Sequence, residues 1–555
     1  FTTEYYGVNV FDPVETVLSS RYPIVYRKIS IEVENDFYLN METYNGAPKI
    51  QEVPTDRRAT KKYILEATDL EKRDFPRWFY PLVEFPALKF QVVFALNGRS
   101  AEAFLGDYAV RKTGVSEEEI LEYYGERFDT YNRKDVKDVV KYLEEKGITD
   151  KREQMVQALY YIRHKTYNRF IELVVADENK IEGYGLPCDQ DYIILQESNF
   201  VNYMAGLAKQ LEVDYDIIVA TADYNGSIDD LLLRSNVSHG LRFNFADPLY
   251  FFHISPHVQA ELFPENLENT KVYTLSVKKN RKVESVGTDV LPSTTAQDNV
   301  ENTIVKVDFE EGFDLLNIQR KMGFSGHFKV EELNSRLFFN DFLNEEFDRY
   351  ETRHFFHCRK NQNRKEEEVE KKMNAFYASL KEKHDKKLSE RAKSSLNVTE
   401  VMDYEYEIVE ASRYSNNPLV VTDEFTIKKE FIQRAGPNFL FEAGKFIGNQ
   451  VQIKADEENR DTNIYIDYAK TFSHQVEIEI PEGYEVVGLD KLTKNISNNT
   501  GSFVSTASVE NGMLKYSAKK VYAKSRYTVT EWKDMLPWLK AAYDFSQEKI
   551  MFKKI

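Results

Sequence analysis

Three of the chain's nine histidines fall close together, at His239, His253 and His257, and imidazole is the side chain best suited to general-base work or metal binding near neutral pH. Imidazoles on neighbouring strands and the corner after them can give zinc three nitrogens and leave a fourth position open for water, the design of a metal-dependent hydrolase. The spacing here is not diagnostic of that site, and an aromatic-rich sheet accommodates the same residues. A second group, His354, His357 and Cys358 in HFFHC, also offers ligands, but a zinc site needs a further ligand cluster that the surrounding sequence lacks, so it reads as a packed aromatic segment. Cys188, in GLPCDQ, is a candidate thiol nucleophile only if a base meets it, and otherwise a structural thiol. No GxxxxGK[ST] or GxGxxG is present, so no nucleotide cofactor is expected, and nothing implies another. With 91 acidic residues, paired carboxylates arise by chance and do not argue for a glycosidase.

The elements that must position these groups follow from periodicity. Alternation at Ile29, Ile31 and Val33, at Tyr63 and Leu65, and at Phe90, Val92 and Phe94 predicts antiparallel strands, interrupted by a segment with Pro76, Pro81 and Pro86 that disfavours a central strand. From 116 to 166 the period turns helical, with Met155, Leu159 and Ile162 on one stripe. Ser198 is expected to cap a helix carrying Phe200, Met204, Leu207 and Leu211, followed by the strand DYDIIVATA and the strands LRFNF and PLYFFHI. Residues 270–340 return to strand-like alternation. A charged helix over 364–391 presents Val369, Met373, Phe376, Leu380 and Leu388 on one narrow stripe, the pattern of a solvated helix packed by one face. From 398 onward the chain is strand-rich, with Asn511-Gly512 as a hairpin turn between TASVE and MLKYS.

At 555 residues the chain exceeds one hydrophobic core, and three or more domains are expected. A net charge of -17 disfavours a phosphate-backbone or polybasic membrane binder, so nucleic acid is not an expected partner. Two cysteines make no disulfide framework, and no run of about eighteen apolar residues predicts a transmembrane helix. The sequence opens at Phe1 in strand-like residues without a basic or apolar leader, as expected of a processed or trimmed product.

Beyond these patterns, the order of segments resembles the exported multidomain proteins of Bacteroidota that join a DUF3857 domain, a transglutaminase-like core and a DUF3858 domain. SRYPIVYRKISIEV, KKYILEATDL and FPRWFYPLVEFPALKFQVVF are similar to the first domain, without its opening strands. SNFVNYMAGLAKQLEVDYDIIVATADYNG and PLYFFHISPHVQAELFPENLEN resemble the core. NIYIDYAKTFSHQVEIEIPEGYEVVGL and WLKAAYDFSQEKIMF resemble the last domain, including its IPxGY turn and closing helix and strand. The resemblance implies a multidomain α+β fold: an N-terminal antiparallel β-sandwich over 1–115, a helical lead-in and transglutaminase-like (papain-like cysteine proteinase) α+β core over 116–268, a β-rich segment with the charged helix over 269–395, and a C-terminal β-sandwich over 396–555.

The same resemblance implies a Cys-His-Asp triad whose positions fall here at Glu197, His239 and His253. A carboxylate replaces the thiol, and an imidazole replaces the acid that steadies an imidazolium. A carboxylate is a poor acyl nucleophile because it would form a high-energy anhydride. The expectation is therefore a non-catalytic binding or scaffolding protein of the cell envelope, exported to periplasm or cell surface, whose old cleft holds a peptide, protein or glycan. Alternatives are a thiol peptidase or acyltransferase using a displaced Cys188, a metal-dependent hydrolase using His239, His253 and His257, and a structural spacer without a cleft.

Overall fold

The computed structural model describes residues 13–34, 37–94, 117–118, 120–121, 124, 128, 136–181, 193–230, 236–277, 283–310, 313–354 and 363–555. The chain is mixed α and β, rich in strands, and divides into two units of interleaved segments. The first comprises Phe1–Leu159, Ile194–Ile254 and Phe263–Ser293; the second comprises Tyr160–Ile193, Ser255–Leu262 and Thr294–Ile555.

In the first unit, strands β1 (Pro13–Val17), β2 (Ile24–Glu34), β3 (Phe37–Tyr44), β4 (Gln51–Val53), β5 (Thr60–Leu70) and β6 (Ala87–Phe94) form two antiparallel sheets, ordered β1-β6-β3 and β2-β5-β4. Period-two alternation drives their packing. Ile31, Val33, Tyr63 and Leu65 of one sheet share a core with Leu39, Met41, Leu88 and Phe90 of the other, each large apolar side chain contributing about 1.5–3 kcal/mol on full burial. The proline-bearing segment makes only one helical turn, α1 (Pro81–Glu84).

Helices α2 (Lys137–Glu145) and α3 (Lys151–Ile162) follow, and the expected stripe of Met155, Leu159 and Ile162 is fully buried. Past α4 (Arg169–Glu178), which belongs to the second unit, α5 (Glu197–Gln210) lies against an antiparallel sheet. Its strands are β7 (Tyr215–Thr221), β8 (Val237–Phe243), β9 (Leu249–Phe251), β10 (Lys271–Val277) and β11 (Val283–Val290), ordered β11-β10-β7-β8-β9. YDIIVAT in β7 is buried at every position, as a central strand covered on both faces must be. The sheet crosses the break expected at 268, because Tyr273–Ser276 pair with β7.

The second unit is built on β12 (Val300–Phe309) and β13 (Leu315–Phe324), then α6 (His327–Arg336), α7 (Phe339–Tyr350) and α8 (Asn363–Leu396). Strands β14 (Met402–Glu410), β15 (Leu419–Lys428), β16 (Ile432–Ala435), β17 (Asn438–Phe441), β18 (Ile464–Tyr465), β19 (Lys470–Glu479), β20 (Tyr484–Val487), β21 (Lys494–Asn498), β22 (Gly501–Glu510), β23 (Met513–Tyr522) and β24 (Arg526–Tyr527) come next. Helix α9 (Trp532–Ser546) and strand β25 (Ile550–Lys554) close the chain. An eight-stranded sheet runs β14-β15-β13-β12-β19-β23-β22-β21, a four-stranded one β16-β17-β25-β20, and β18 pairs with β24.

The break expected at 395 therefore runs through one sheet: β12 lies parallel to β19, while β13 pairs with β15. Residues 327–336 are helical where strand alternation was expected, and Asn299 Oδ1 accepts the His327 amide at 2.9 Å to start α6. Phe309 at the end of β12 packs on Phe441 and Phe552 of the four-stranded sheet. Phe545 of α9 covers Phe503 and Tyr516. At the hairpin between β22 and β23, Asn511 and Gly512 both take positive φ, 52° and 76°, as a two-residue turn matching strand twist requires. Val369, Met373 and Tyr377 of α8 share a core with Phe170, Leu173 and Ala176 of α4, so the charged helix is held by one face.

Candidate functional site

Glu197 is the first residue of α5. Gln196, in extended conformation, occupies the cap position without a side-chain hydrogen bond, so Ser198 lies inside the helix and is not its cap. A carboxylate in a first helical turn is favoured by the partial positive charge of the unpaired amides there. Strand β8 carries His239 opposite Val219 of β7. The two elements set Glu197 Oε2 3.6 Å from His239 Nδ1.

His239 is only 7% exposed, its ring walled by those of Tyr124 and Phe128 at centroid distances of 5.3 and 5.2 Å. Its Nε2 has no hydrogen-bond partner among the described residues. Next to it, Gly240 lets the Phe252 ring approach so closely that an added Cβ would sit 2.6 Å from a ring carbon. Gly240→Ala is therefore expected to destabilise the first unit by about 1–3 kcal/mol through overpacking, read as a lower denaturant midpoint. An unchanged midpoint would show that Phe252 yields freely.

His253 follows β9 directly after Phe252. Although its ring keeps solvent contact, the protein packed around the remainder lowers its pKa, and the Glu197 and Glu265 carboxylates oppose that shift. Cys188, His357 and Cys358 lie outside the described residues. His257 belongs to the second unit, where it is buried against Phe342 and its Nδ1 accepts a 3.4 Å hydrogen bond from Arg413 Nε. A guanidinium can only donate, so that nitrogen's lone pair is already committed and is not available to a metal. His354 is likewise taken, with Nδ1 2.6 Å from Glu172 Oε1 and its ring on Phe347. Among the described residues, no three His, Cys, Asp or Glu side chains are grouped to hold a metal ion.

Chemically, the Glu197–His239 pair can share or hold a proton but presents no thiol or hydroxyl for acyl transfer. The wall of Tyr124 and Phe128 was not anticipated, although Ile120, Tyr124 and Phe128 recur every four residues, the spacing of one buried helix face.

A larger buried polar cluster, absent from the sequence reading, lies wholly within the second unit. The chain after α3 makes a π-helical turn, Arg163–Asn168, a local geometry frequent at functional sites. The turn directs Arg163, His164 and Asn168 at the fully buried Glu346 of α7. Arg413 completes the ring around that carboxylate and also donates to the Pro256 carbonyl. Since a carboxylate only accepts, His164 Nδ1 carries the proton toward Glu346 at 3.2 Å, and Nε2 accepts from Thr352 at 2.6 Å. Burial lowers the His164 pKa, more than Glu346 raises it, which keeps this neutral tautomer. Both oxygens of Glu346 are engaged, so the cluster ties four chain segments together rather than offering a reactive group.

Residues 438–552, from β17 to β25, match the domain-of-unknown-function family with a solved structure, DUF3858. No curated protein sequence matches the chain. A solved structure described as "a putative protease from Parabacteroides distasonis ATCC 8503" is similar over 98% of this chain and 76% of that one, with a TM-score of 0.42 and 8% identity. No helix among the described residues is long and apolar enough to cross a membrane.

Proposed function

We propose that the chain is a non-catalytic binding or scaffolding protein of the bacterial cell envelope, organised around a degenerate transglutaminase-like core. The observation that carries the reading is Glu197 at the first position of α5, 3.6 Å from the His239 imidazole. A thiolate there, activated by the helix terminus and the imidazole, would be a nucleophile. A carboxylate in its place gives a proton-sharing pair without one. His253 adds a second departure, because an imidazole brings no negative charge to steady an imidazolium.

On this reading the retained cleft serves recognition of a peptide, protein or glycan, and export to the periplasm or cell surface goes with the proposed family. The test is a thiol-directed probe followed by mass measurement, run beside amidase and esterase assays on the chain and on Cys188→Ala. The expected result is no hydrolysis in either protein. Selective modification of Cys188, lost together with amidase activity in Cys188→Ala, would overturn the proposal. So would a stoichiometric metal found by elemental analysis, since that would favour a hydrolytic metal site.

A further inference from the structure

The second unit has a partly open pocket of about 140 Å³ between the eight-stranded sheet and the two helices α6 and α8. Its sheet side is polar in an unusual way. Glu301 and Thr303 of β12 and His474 of β19 all face it, with Thr303 directly opposite His474 in the parallel pairing. Thr303 and His474 are more than nine-tenths buried. The three side chains form no hydrogen bond with the described residues, and their polar atoms are reached through the pocket rather than sealed away. Buried hydroxyl, imidazole and carboxyl groups are ordinarily paired, because leaving one unmet costs its full desolvation. Three such groups converging on one pocket mark a site that water or a polar ligand must fill.

The remaining charges define that partner. Arg320 of β13 is held by Asp423 of β15 in a two-pronged pair at 2.8 and 2.6 Å. Arg336 of α6 and Arg391 of α8 share Glu332 of α6. Three guanidiniums thus face two committed carboxylates, and either an ionised Glu301 or a bound anion completes the balance. Tyr404 of β14 adds a phenol to the wall, and Lys520 acts on His474 from the neighbouring strand β23.

We propose that this pocket binds a small monoanionic carboxylate, held by hydrogen bonds with Glu301, Thr303 and His474 and lying beside the Arg320, Arg336 and Arg391 guanidiniums. The volume is close to that of an engineered cavity that admits benzene, so a ligand of about six heavy atoms fits. Two properties of the lining agree with this. Burial and the Glu332 carboxylate push Glu301 up to about 7, so the proton the ligand needs is present near neutrality. Burial, with Lys520 adding to it, pushes His474 down to about 4, so its imidazole is neutral and keeps one N–H to donate.

Calorimetric titration of the full chain with sodium acetate and sodium lactate, at about pH 6, 7, 8 and 9 and constant ionic strength, tests this. Saturable binding of one carboxylate per chain is expected, with affinity flat below about pH 7 and falling about tenfold per pH unit above it, as uptake of one proton requires. Glu301→Gln is expected to abolish that pH dependence. Thr303→Val, which preserves shape, and His474→Phe are each expected to weaken binding at least about tenfold, and Thr303→Val decides the matter if His474→Phe does not fold. No saturable heat with either carboxylate would show a water-filled cavity and overturn the proposal. Binding indifferent to Thr303→Val would do the same, as would an unaltered pH profile in Glu301→Gln or a preference for inorganic phosphate.

Discussion

Glu346→Ala is expected to destabilise the second unit by about 3–5 kcal/mol, the usual cost of removing one partner from a fully buried ion pair. The substitution deletes the acceptor shared by Arg163, Arg413, His164 and Asn168, all of which are buried. Arg163 would remain in the interior without its counter-charge, and Arg413 would keep only the half-exposed Glu345 carboxylate at 3.2 Å. Their cation–π contacts with Tyr414, at 5.0 and 5.5 Å, are too weak to replace Glu346. Denaturant unfolding followed by tryptophan fluorescence is a suitable readout, because the chain's tryptophans include Trp532 and Trp538 on α9 of this unit. A loss below about 1 kcal/mol would mean that solvent reaches the arginines, and the cluster would then not be a clamp.

The same cluster sets an acid limit. Burial by itself would raise the Glu346 pKa, but Arg413 and Arg163 outweigh it and hold the carboxyl well below the usual carboxylate range. For a group depressed in the folded state, the stabilisation is complete above the unfolded value of about 4.3 and is lost as pH falls through the folded value. Stability from this source should therefore decline only below about pH 4, and Glu346→Gln should remove that part of the acid sensitivity.

What the sequence reveals and what it conceals divides along contact range. Alternation at Ile31 and Val33, the Asn511-Gly512 turn and the one-sided stripe of α8 are local signals, and each element forms where its own residues specify it. The unit boundaries are different, because β12 and β13 find partners in β19 and β15, at least 95 residues onward, and nothing in their own alternation names those partners. Residues 255–262 show the same effect in miniature: they follow β9 without a break but belong with the second unit. His257 therefore reads as a neighbour of His239 and His253 in sequence, yet serves Arg413. The Glu346 ring was hidden for this reason too, since its members come from 163–168, 346 and 413 and share no motif. Glu197 and His239, which the resemblance singles out, lie 3.6 Å apart.

That distance makes Glu197→Cys the most informative single change in the first unit. The substitution puts a thiol at the first position of α5, on the side facing the His239 imidazole, where the helix terminus and a basic partner both favour thiolate. Its pKa should fall from about 8.5 to roughly 6–7, and alkylation by iodoacetamide at about pH 7 should run several-fold to about tenfold faster than for the same thiol in the urea-unfolded chain. Working in a Cys188→Ala, Cys358→Ser background leaves one thiol to follow. Adding His239→Phe should move the reactivity profile back toward that of an ordinary thiol, which separates the imidazole's effect from that of the helix terminus. A thiol of ordinary reactivity, indifferent to His239, would mean that the pair is only a packing contact and would remove the main support for a degenerate catalytic core. On the proposed reading of His253 as the former acid position, hydrolysis of amides should still be absent from Glu197→Cys; its appearance only after His253→Asp is added would tie all three positions to one ancestral mechanism.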